Sequence, residues 1–426
     1  MTAIVGILNK RAVAVATDSA VTIDCQSGHK VLNSARKLFQ LSKKEPVGIM
    51  IYSSANFMET PWELIISLYR EHLGDSAYDS LQEYVDDFVS FIRDKHFFCS
   101  AEMKKRYLMR QMDFFYNDVK RMAYTRCIGK NGEKQIPDRV LHEEMIHIFN
   151  EHIDFYKSLD KCLDFNDYSL KAFQTDAQEE LKELAKCYNL QGEDLEIYEE
   201  SFFTYLCSVH IAFDMTGLVF VGYGKSEIYP SLIPFNISFT IDERIKGALD
   251  KPRVQAITDF NNAAICPFAQ KDVMMTFMTG IDEDIKQFTF DAASKCINDY
   301  KNYICSILSV DEKDRSAKET VETLDASTFV GFFKAQVNEF IQNAYIRKLV
   351  DTVAYLEKDD IANMAENLIL LTGLKRRITS SEETVGGPVD VAIISKDDGF
   401  IWMKKKQYFD KELNPQYYSR LLSNCV

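Results

Sequence analysis

Two residues near the start of the chain have side chains that can take part in nucleophilic chemistry: Thr2 and Asp18. Threonine carries a hydroxyl, and removal of Met1, which is common before a small residue, gives Thr2 a free α-amine as well. An α-amine has a reference pKa of about 7.7 to 8.0, which suits a general base near neutral pH. A threonine activated by its own amine is a recognised nucleophile. A threonine in this position therefore predicts a nucleophile that is activated by its own α-amine.

A β-hairpin would place the carboxylate beside this threonine. Apolar residues alternate between the two faces of a strand from Ala3 to Leu8, and a second β-like run covers Ala12 to Ser19 after a polar turn. If the turn is centred on Lys10, Thr2 lies directly opposite Asp18, and the two Cβ atoms are about 5 Å apart. An aspartate in such an apolar strand is costly to bury without a partner. The hairpin therefore predicts a buried, paired carboxylate next to the nucleophile.

Each of these residues also has an ordinary structural interpretation. A threonine in second position is common in proteins. Asp18 can pair with Arg11 or cap a turn, and Lys37 stands close to Arg36 and Lys43, as on a solvated basic surface. The three residues are informative only as a set.

The stretch TAIVGILNKRAVAVATDSAVTI, residues 2–23, resembles the opening of a proteasome β-type subunit, an N-terminal-nucleophile (Ntn) hydrolase. The stretch SARKLFQLSKKEPVGIMIYSSANFMETPWELIISLYREHL, residues 34–73, is similar to the next two strands and the first helix of that family. The resemblance implies that Thr2 is the nucleophile, Asp18 the buried aspartate and Lys37 the catalytic lysine. Ser19, in the same ATDS signature, is implied as a supporting residue.

Two later stretches continue the resemblance in the family's order. Residues 217–242 resemble its central hairpin, and TVGGPVDVAIISKDDGFIWMKKK, residues 384–406, resembles its last helix-to-strand junction and closing hairpin. The family's oxyanion-hole glycine falls at Ser53, next to Ser54, although a backbone N–H can serve with either side chain. Glu382 and Glu383 stand near the junction, where the family has an aspartate and a serine that support the nucleophile.

The resemblance implies an α+β protein with the four-layer αββα sandwich of Ntn hydrolases, built on two antiparallel sheets. Residues 1–74 and 214–426 would form this core, and residues 75–213 a helical insertion. The insertion has helical periodicity: its first segment carries one apolar stripe, with acidic residues opposite it. The stripe consists of Leu81, Tyr84, Val85, Phe88 and Ile92. A second helical region covers about residues 268–377, with its last helix expected to end at Gly373.

Composition narrows the class of protein. The net charge of −14 argues against nucleic acids and anionic membranes as partners. No apolar run reaches the roughly 18 residues of a membrane span, and the opening stretch lacks the pattern of a signal peptide. Ten cysteines without any Cys-x-x-Cys are expected to be reduced thiols. We expect a cytoplasmic enzyme with a peptide or protein substrate, a homo-oligomer by resemblance, and an unfoldase or other protein partner at the insertion.

The insertion contains a histidine cluster that imitates a zinc motif. LHEEMIHIFNEH places His142 and His147 five residues apart, whereas the metalloprotease motif needs four. Five residues rotate a helix by about 140°, so one ion cannot easily meet both rings of the set, which also includes Glu143 and His152. GYGKSE lacks the third glycine of a dinucleotide fingerprint. We expect no metal and no cofactor.

Two other functions fit the same sequence. One is a catalytically silent subunit that uses the proteasome-like fold as a scaffold or binding module, which the altered residues around Glu382 favour. The other is an Ntn amidase that acts on a small-molecule amide.

Overall fold

A computed structural model of the 426-residue chain describes residues 2–25, 28–94, 99–131, 136–308, 312–379, 385–410, 412–416 and 419. The chain divides into two compact units. The first contains residues 1–34, 257–393 and 401–426, and the second contains residues 35–256 and 394–400.

Strands of the described residues lie at the start, middle and end of the chain. In chain order they are β1 (Ala3–Asn9), β2 (Val13–Thr17), β3 (Val21–Cys25), β4 (Gly28–Leu32), β5 (Leu38–Gln40), β6 (Val47–Ser53), β7 (Asn56–Phe57), β8 (Thr60–Pro61), β9 (Thr216–Gly222), β10 (Ser231–Ile241), β11 (Arg244–Leu249), β12 (Gln255–Ala256), β13 (Ala263–Ala269), β14 (Asp390–Ser395) and β15 (Gly399–Lys404).

Helices fill the two long intervals between these groups of strands. They are α1 (Trp62–Leu73), α2 (Leu81–Asp94), α3 (Ala101–Asn131), α4 (Asp138–Lys157), α5 (Leu170–Asp176), α6 (Gln178–Tyr188), α7 (Glu193–Cys207), α8 (Asp272–Thr279), α9 (Glu283–Ile307), α10 (Glu312–Thr323), α11 (Ala326–Ile341), α12 (Arg347–Val353) and α13 (Lys358–Ile378). A single π-helical turn, Gln342–Ile346, joins α11 to α12.

The first unit is built on a five-stranded sheet with the order β13-β1-β2-β14-β15. β1 pairs antiparallel with both β13 and β2. One face of the β1–β2 hairpin packs on α13. Its second arm contributes alanines there, which allow a close approach: Ala12, just before β2, with Ala14 and Ala16 of β2. By the alternation of strand residues, Thr2 belongs to the opposite face of β1.

The second unit is built on an antiparallel sheet with the order β11-β10-β9-β6-β5. Its core is rich in aromatic residues. Phe88 of α2 contacts Phe220 of β9, and Trp62 and Tyr69 of α1 contact Phe88. Gly222 ends β9 with φ of +135°, and a Cβ there would lie 2.0 Å from the carbonyl oxygen of Pro46. Only glycine fits this turn.

The α+β class with antiparallel sheets is confirmed, whereas the stacking of the layers and the domain boundaries stay predictions. The apolar stripe predicted for α2 is buried, so this prediction is confirmed. The expected end at Gly373 is wrong, since α13 continues to Ile378. Lys375, Arg376 and Arg377 in its last turn favour this longer helix by facing its C-terminal dipole. Within the described ranges, no helix combines the length and apolar character that a membrane span requires.

Candidate active site

The hairpin of β1 and β2 closes through a two-residue loop, Lys10 and Arg11. The Asn9 N–H donates to the carbonyl oxygen of Ala12 at 3.0 Å. The Asn9 side-chain oxygen in turn accepts hydrogen bonds from the N–H groups of Arg11 (2.9 Å) and Ala12 (3.2 Å). Asn9 therefore fixes a shorter loop than a turn centred on Lys10.

This shorter loop moves the strand register by one residue from the predicted one. Ile4 pairs with Thr17, and the Asp18 N–H donates to the Ala3 carbonyl at 3.1 Å. Asp18 thus lies opposite Ala3, and the prediction that it lies opposite Thr2 is wrong. A one-residue shift exchanges the two faces of a strand. The carboxylate consequently meets the peptide group that follows Thr2 rather than the Thr2 side chain.

Backbone N–H groups from three segments hold the buried carboxylate of Asp18. Oδ1 accepts from Ala3 at 3.0 Å, and Oδ2 accepts from Ala20 at 3.1 Å and from Gly386 at 3.3 Å. Hydrogen bonds to an ionised acceptor are stronger than those between neutral groups. Asp18 therefore clamps the first residue of β1, directly after Thr2, to two other parts of the first unit.

Thr2 is held on its other side by the neighbouring strand. Its carbonyl oxygen accepts a hydrogen bond from the Gln270 N–H at 3.1 Å, just beyond the end of β13. The residue is only 4 % exposed. The second position of the chain is therefore an ordered part of the sheet and not a frayed terminus.

Ser19, the residue after Asp18, takes part in a polar network. The Ser19 hydroxyl donates to the carbonyl oxygen of Pro388 at 2.5 Å and accepts from the Lys406 ammonium at 2.6 Å. Lys406 also forms an ion pair with Asp390, with Nζ 2.7 Å from Oδ2. The side chains of Lys406 and Asp390 are 13 % and 3 % exposed, so this pair is largely shielded from water. Ser19, predicted as a support, is thereby tied to the strand that follows the Gly386-Gly387 turn.

Gly387 is required in that turn. Its φ is +76°, and a Cβ would lie 2.9 Å from Cβ of Asn33 and 3.0 Å from its carbonyl oxygen. Glu382 and Glu383, which precede the turn, lie outside the described residues. Their supporting role stays a prediction.

Lys37 belongs to the second unit and lies directly before β5. Its carbonyl oxygen accepts from the Ile51 N–H at 2.8 Å, which extends the pairing of β5 with β6. The residue is 3 % exposed. Lys37 is therefore not part of a solvated basic surface.

Ser53 ends β6 in an unusual conformation. Its φ is +73°, in the left-handed region that favours glycine. This is the position at which the resemblance places an oxyanion-hole glycine. Backbone strain of this kind concentrates at functional sites. Ser53 thus has a backbone conformation that favours glycine, although the residue is a serine.

The alternation of the ladder distinguishes the N–H groups of Ser53 and Ser54. The Ser54 N–H donates to Met215 at 3.3 Å, toward β9. Successive N–H groups of a strand point to opposite neighbours. The Ser53 N–H is therefore directed to the other side of β6, the side on which Ile51 donates to Lys37. Of the two predicted oxyanion donors, Ser54 thus uses its N–H in the contact with Met215, whereas the Ser53 N–H is directed away from β9.

The predicted residues fall into two groups. Thr2, Asp18 and Ser19 meet at one end of the sheet of the first unit, and Lys37 lies near Ser53 and Ser54 at one end of β5 and β6 in the second. Sequence reasoning missed the Asp390–Lys406 pair. Its only signal is a lysine run behind an apolar strand, which resembles an ordinary solvated segment.

The histidines of the insertion have acidic neighbours in the structure. His142 Nε2 lies 3.1 Å from Asp194 Oδ2, and His147 Nε2 lies 3.1 Å from Glu151 Oε1. In the part of the chain that the structure describes, no group of three His, Cys, Asp or Glu side chains is arranged to hold a metal ion.

Comparisons with known proteins show similarity to solved structures alone. No family model matches the chain, and no curated protein matches it. Among solved structures, a mutant of Anbu from Hyphomicrobium sp. strain MC1 is similar over 100 % of this chain and 96 % of its own, at 11 % identity and a TM-score of 0.29. At that identity and TM-score the chain is no more than distantly similar to Anbu in fold, and the likeness carries no inference about activity.

Proposed function

We propose that this chain hydrolyses an amide bond with Thr2 as the nucleophile, after removal of Met1. The observation that supports this most is the clamp of Asp18 on the Ala3 N–H, 3.0 Å long, directly behind Thr2. A buried carboxylate needs strong compensation, and here it receives that compensation from the backbone on which the nucleophile sits. The clamp fixes the peptide group that follows Thr2, and a fixed backbone favours a hydroxyl and an α-amine that act together.

The proposed reaction has two steps. Thr2 Oγ attacks the amide carbonyl while the Thr2 α-amine takes the hydroxyl proton and delivers it to the leaving amine. A water molecule, activated by the same amine, then releases the acyl group and regenerates the hydroxyl. The Ser53 N–H is the donor we assign to the oxyanion, since a backbone N–H can donate whether the residue is serine or glycine.

Lys37 is assigned its role through the family resemblance. A positive charge near the α-amine favours the unprotonated amine, because like charges repel, and so makes it a better base. In the resembled family a lysine and an aspartate act on the threonine together, and we propose the same for Lys37 and Asp18. By the same resemblance the substrate is a peptide.

A second candidate is a catalytically silent scaffold or binding subunit. The burial of Thr2, 4 % exposed, favours it, because a substrate carbonyl must reach the hydroxyl. Ser53 argues against it, since a strained backbone is not needed by a scaffold.

Turnover of peptide libraries and of small amides tests the proposal and separates the peptidase from the amidase. Thr2→Ser should keep measurable activity, because the hydroxyl and the α-amine both survive. Thr2→Ala should have none. An extra residue before Thr2 that cannot be trimmed should be as harmful, because it converts the amine into an amide. Full activity of the extended protein would place the chemistry elsewhere.

A further inference from the structure

Helix α9 is apolar on two opposite faces. One face packs on α11, where the buried Phe290 meets Phe333 edge-on with ring centroids 6.1 Å apart. The other face is open to solvent, yet carries five large side chains that are each 58–73 % exposed: Ile285, Phe288, Tyr300, Tyr303 and Ile307. A helix that is apolar all round is normally buried. Within the described residues, the outer face of α9 is left uncovered.

The exposed residues form a single line, which we call the α9 stripe. At 3.6 residues per turn all five lie within about 60° of one line along the helix. Ala292 and the exposed Cys296 lie on the same line. The same sector of the helix also holds three polar residues, Thr289, Asp299 and Ser306. The name α9 stripe is kept for the apolar residues and the cysteine: Ile285, Phe288, Ala292, Cys296, Tyr300, Tyr303 and Ile307.

The α9 stripe is nearly symmetric about Cys296, which stands at the middle of the helix. Ile285 and Ile307 are each eleven residues from Cys296, Phe288 and Tyr303 are eight and seven residues away, and Ala292 and Tyr300 are each four residues away. An antiparallel copy of the same helix, centred on Cys296, would bring together residues at equal sequence distances from Cys296. Isoleucine would meet isoleucine, Phe288 would meet Tyr303, and the small Ala292 would face the large Tyr300.

Helix α11 extends this apolar face. The two helices are antiparallel, because Lys301 of α9 donates to the carbonyls of Glu322 and Leu324, just before α11 begins, at 2.7 and 2.8 Å. Phe329 and Phe332 of α11 are 61 % and 66 % exposed. Relative to Phe333 of the α9–α11 contact, Phe332 is displaced by about 100° and Phe329 by about 40° at 100° per residue. Both displacements have the same rotational sense as that of the α9 stripe from Phe290. In an antiparallel pair, such positions fall on the same side.

The combined face is large enough for a stable dimer. Aromatic side chains carry about 150–250 Å² of surface each, so the α9 stripe with Phe329 and Phe332 presents roughly 800 Å² of apolar area. A standard interface buries about 800 Å² per partner.

We propose that the α9 stripe, with Phe329 and Phe332, is a two-fold interface with a second copy of this chain. In this interface α9 packs antiparallel on α9 of the second copy, with Cys296 at the axis. The occupant is a second copy because a two-fold contact must be self-complementary, which is what the symmetric spacing provides. A different partner would place no such condition on the stripe.

Cross-linking at the axis tests the geometry. A residue on a two-fold axis meets its own copy, and the Cα atoms of two cysteines must lie about 4.4–6.8 Å apart to form a disulfide. Mild oxidation of the full-length protein should give a covalent dimer on a non-reducing gel, and Cys296→Ser should remove it. Cys305→Ser is the matched control, since Cys305 lies on α9 but off the stripe, and it should leave the dimer unchanged. A covalent dimer that persists in Cys296→Ser would overturn the proposed axis.

Charges in the stripe test the interface itself. Light scattering at micromolar concentration should give at least twice the monomer mass of 49.1 kDa. Phe288→Asp and Tyr303→Asp should each halve the measured mass with the circular dichroism spectrum unchanged, because the side chains are already exposed in one chain. Asn302→Asp, exposed on α9 but off the stripe, should keep the wild-type mass. A monomeric wild-type protein, or an oligomer that both aspartate variants leave intact, would refute the proposal.

Discussion

Asp18 and Lys246 are both ionisable residues that are buried, one at the end of a strand and one within a strand. The groups that contact them are different. Asp18 accepts hydrogen bonds from the backbone N–H groups of three separate segments, next to Thr2. Lys246 of β11 donates to the carbonyls of Tyr205 and Ser208 at the C-terminal end of α7. Its ammonium also lies 4.8 Å from the centroid of the Tyr205 ring.

These contacts distinguish Asp18, a candidate site residue, from Lys246, which stabilises the end of a helix. The last carbonyls of a helix lack partners and carry a partial negative charge, and Lys246 supplies what the end of α7 needs. Burial lowers the pKa of Lys246 to about 8, which by itself resembles the perturbation found at active sites. Asp18 is the stronger candidate because it holds the peptide N–H directly after Thr2, the proposed nucleophile. Among the described residues, Lys246 contacts the end of α7 and interacts with the thiols of Cys162 and Cys207.

The largest expected effect is that of Asp18→Asn. The amide keeps one acceptor oxygen but turns an NH₂ group toward N–H donors, so we expect turnover to be lost. We also expect the free energy of unfolding to fall by about 3–4 kcal/mol. Urea denaturation measures the second effect. Asp259→Asn is the control: Asp259 is an exposed partner of Lys10, and its loss should change stability by less than about 1 kcal/mol. Unchanged turnover in Asp18→Asn would show that Asp18, like Lys246, has only a structural role.

Lys246 should affect stability and not turnover, with a defined pH dependence. Its folded pKa of about 8 is below the unfolded value of 10.5. Between these pH values the unfolded chain binds more protons, so stability rises with pH. Relative to Lys246→Met, the free energy of unfolding of the wild-type protein should increase by about 3 kcal/mol from pH 8 to pH 10.5. Denaturation curves across this pH range measure the difference in free energy of unfolding between the two proteins. A difference that does not change with pH would contradict the lowered pKa of Lys246.

Lys406→Met sharpens the comparison on the side of Asp18. It leaves Asp390 buried without its cation and removes a donor to Ser19, so we expect a loss of about 2 kcal/mol and reduced turnover. Lys404→Met is the matched control two residues away. Lys404 also pairs with a carboxylate, that of Glu366, but the Lys404 side chain is 58 % exposed. Equal effects of the two variants would show that the Ser19 network does not support the site.

The smallest expected effect is that of Ser53→Gly. Glycine adopts positive φ without strain, so the change should stabilise the protein by about 1 kcal/mol. Turnover should persist, since the proposed oxyanion donor is the backbone N–H. Thermal unfolding and a turnover assay measure both. Loss of turnover would assign the function to the serine hydroxyl instead.

Local patterns predicted the elements well, and tertiary contacts decided the details. The period of apolar residues in α2 placed its buried stripe correctly. The register of the first hairpin was missed by one residue because the side chain of Asn9 is fixed by α12 and the segment after it. Its Nδ2 donates to the carbonyls of Val353 and Leu356, and a single stretch of sequence cannot show that contact.

The candidate site was predictable only where its residues lie close to a recognisable stretch. Thr2, Asp18 and Lys37 fall within the first part of the chain, where spacing and resemblance act together. Lys406 meets Ser19 across 387 positions, and only the fold brings them within a hydrogen bond. The positive φ of Ser53 is likewise invisible in a sequence that has serine where glycine is expected.

Labelling of the N-terminal threonine tests the central claim most directly. The purified protein is incubated with an electrophilic peptide probe, such as a β-lactone, and its intact mass and the labelled peptide are measured by mass spectrometry. The account predicts a protein without Met1 that gains one probe, attached to Thr2, and no label on Thr2→Ala. A retained Met1, a label on another residue, or undiminished labelling of Thr2→Ala would contradict it.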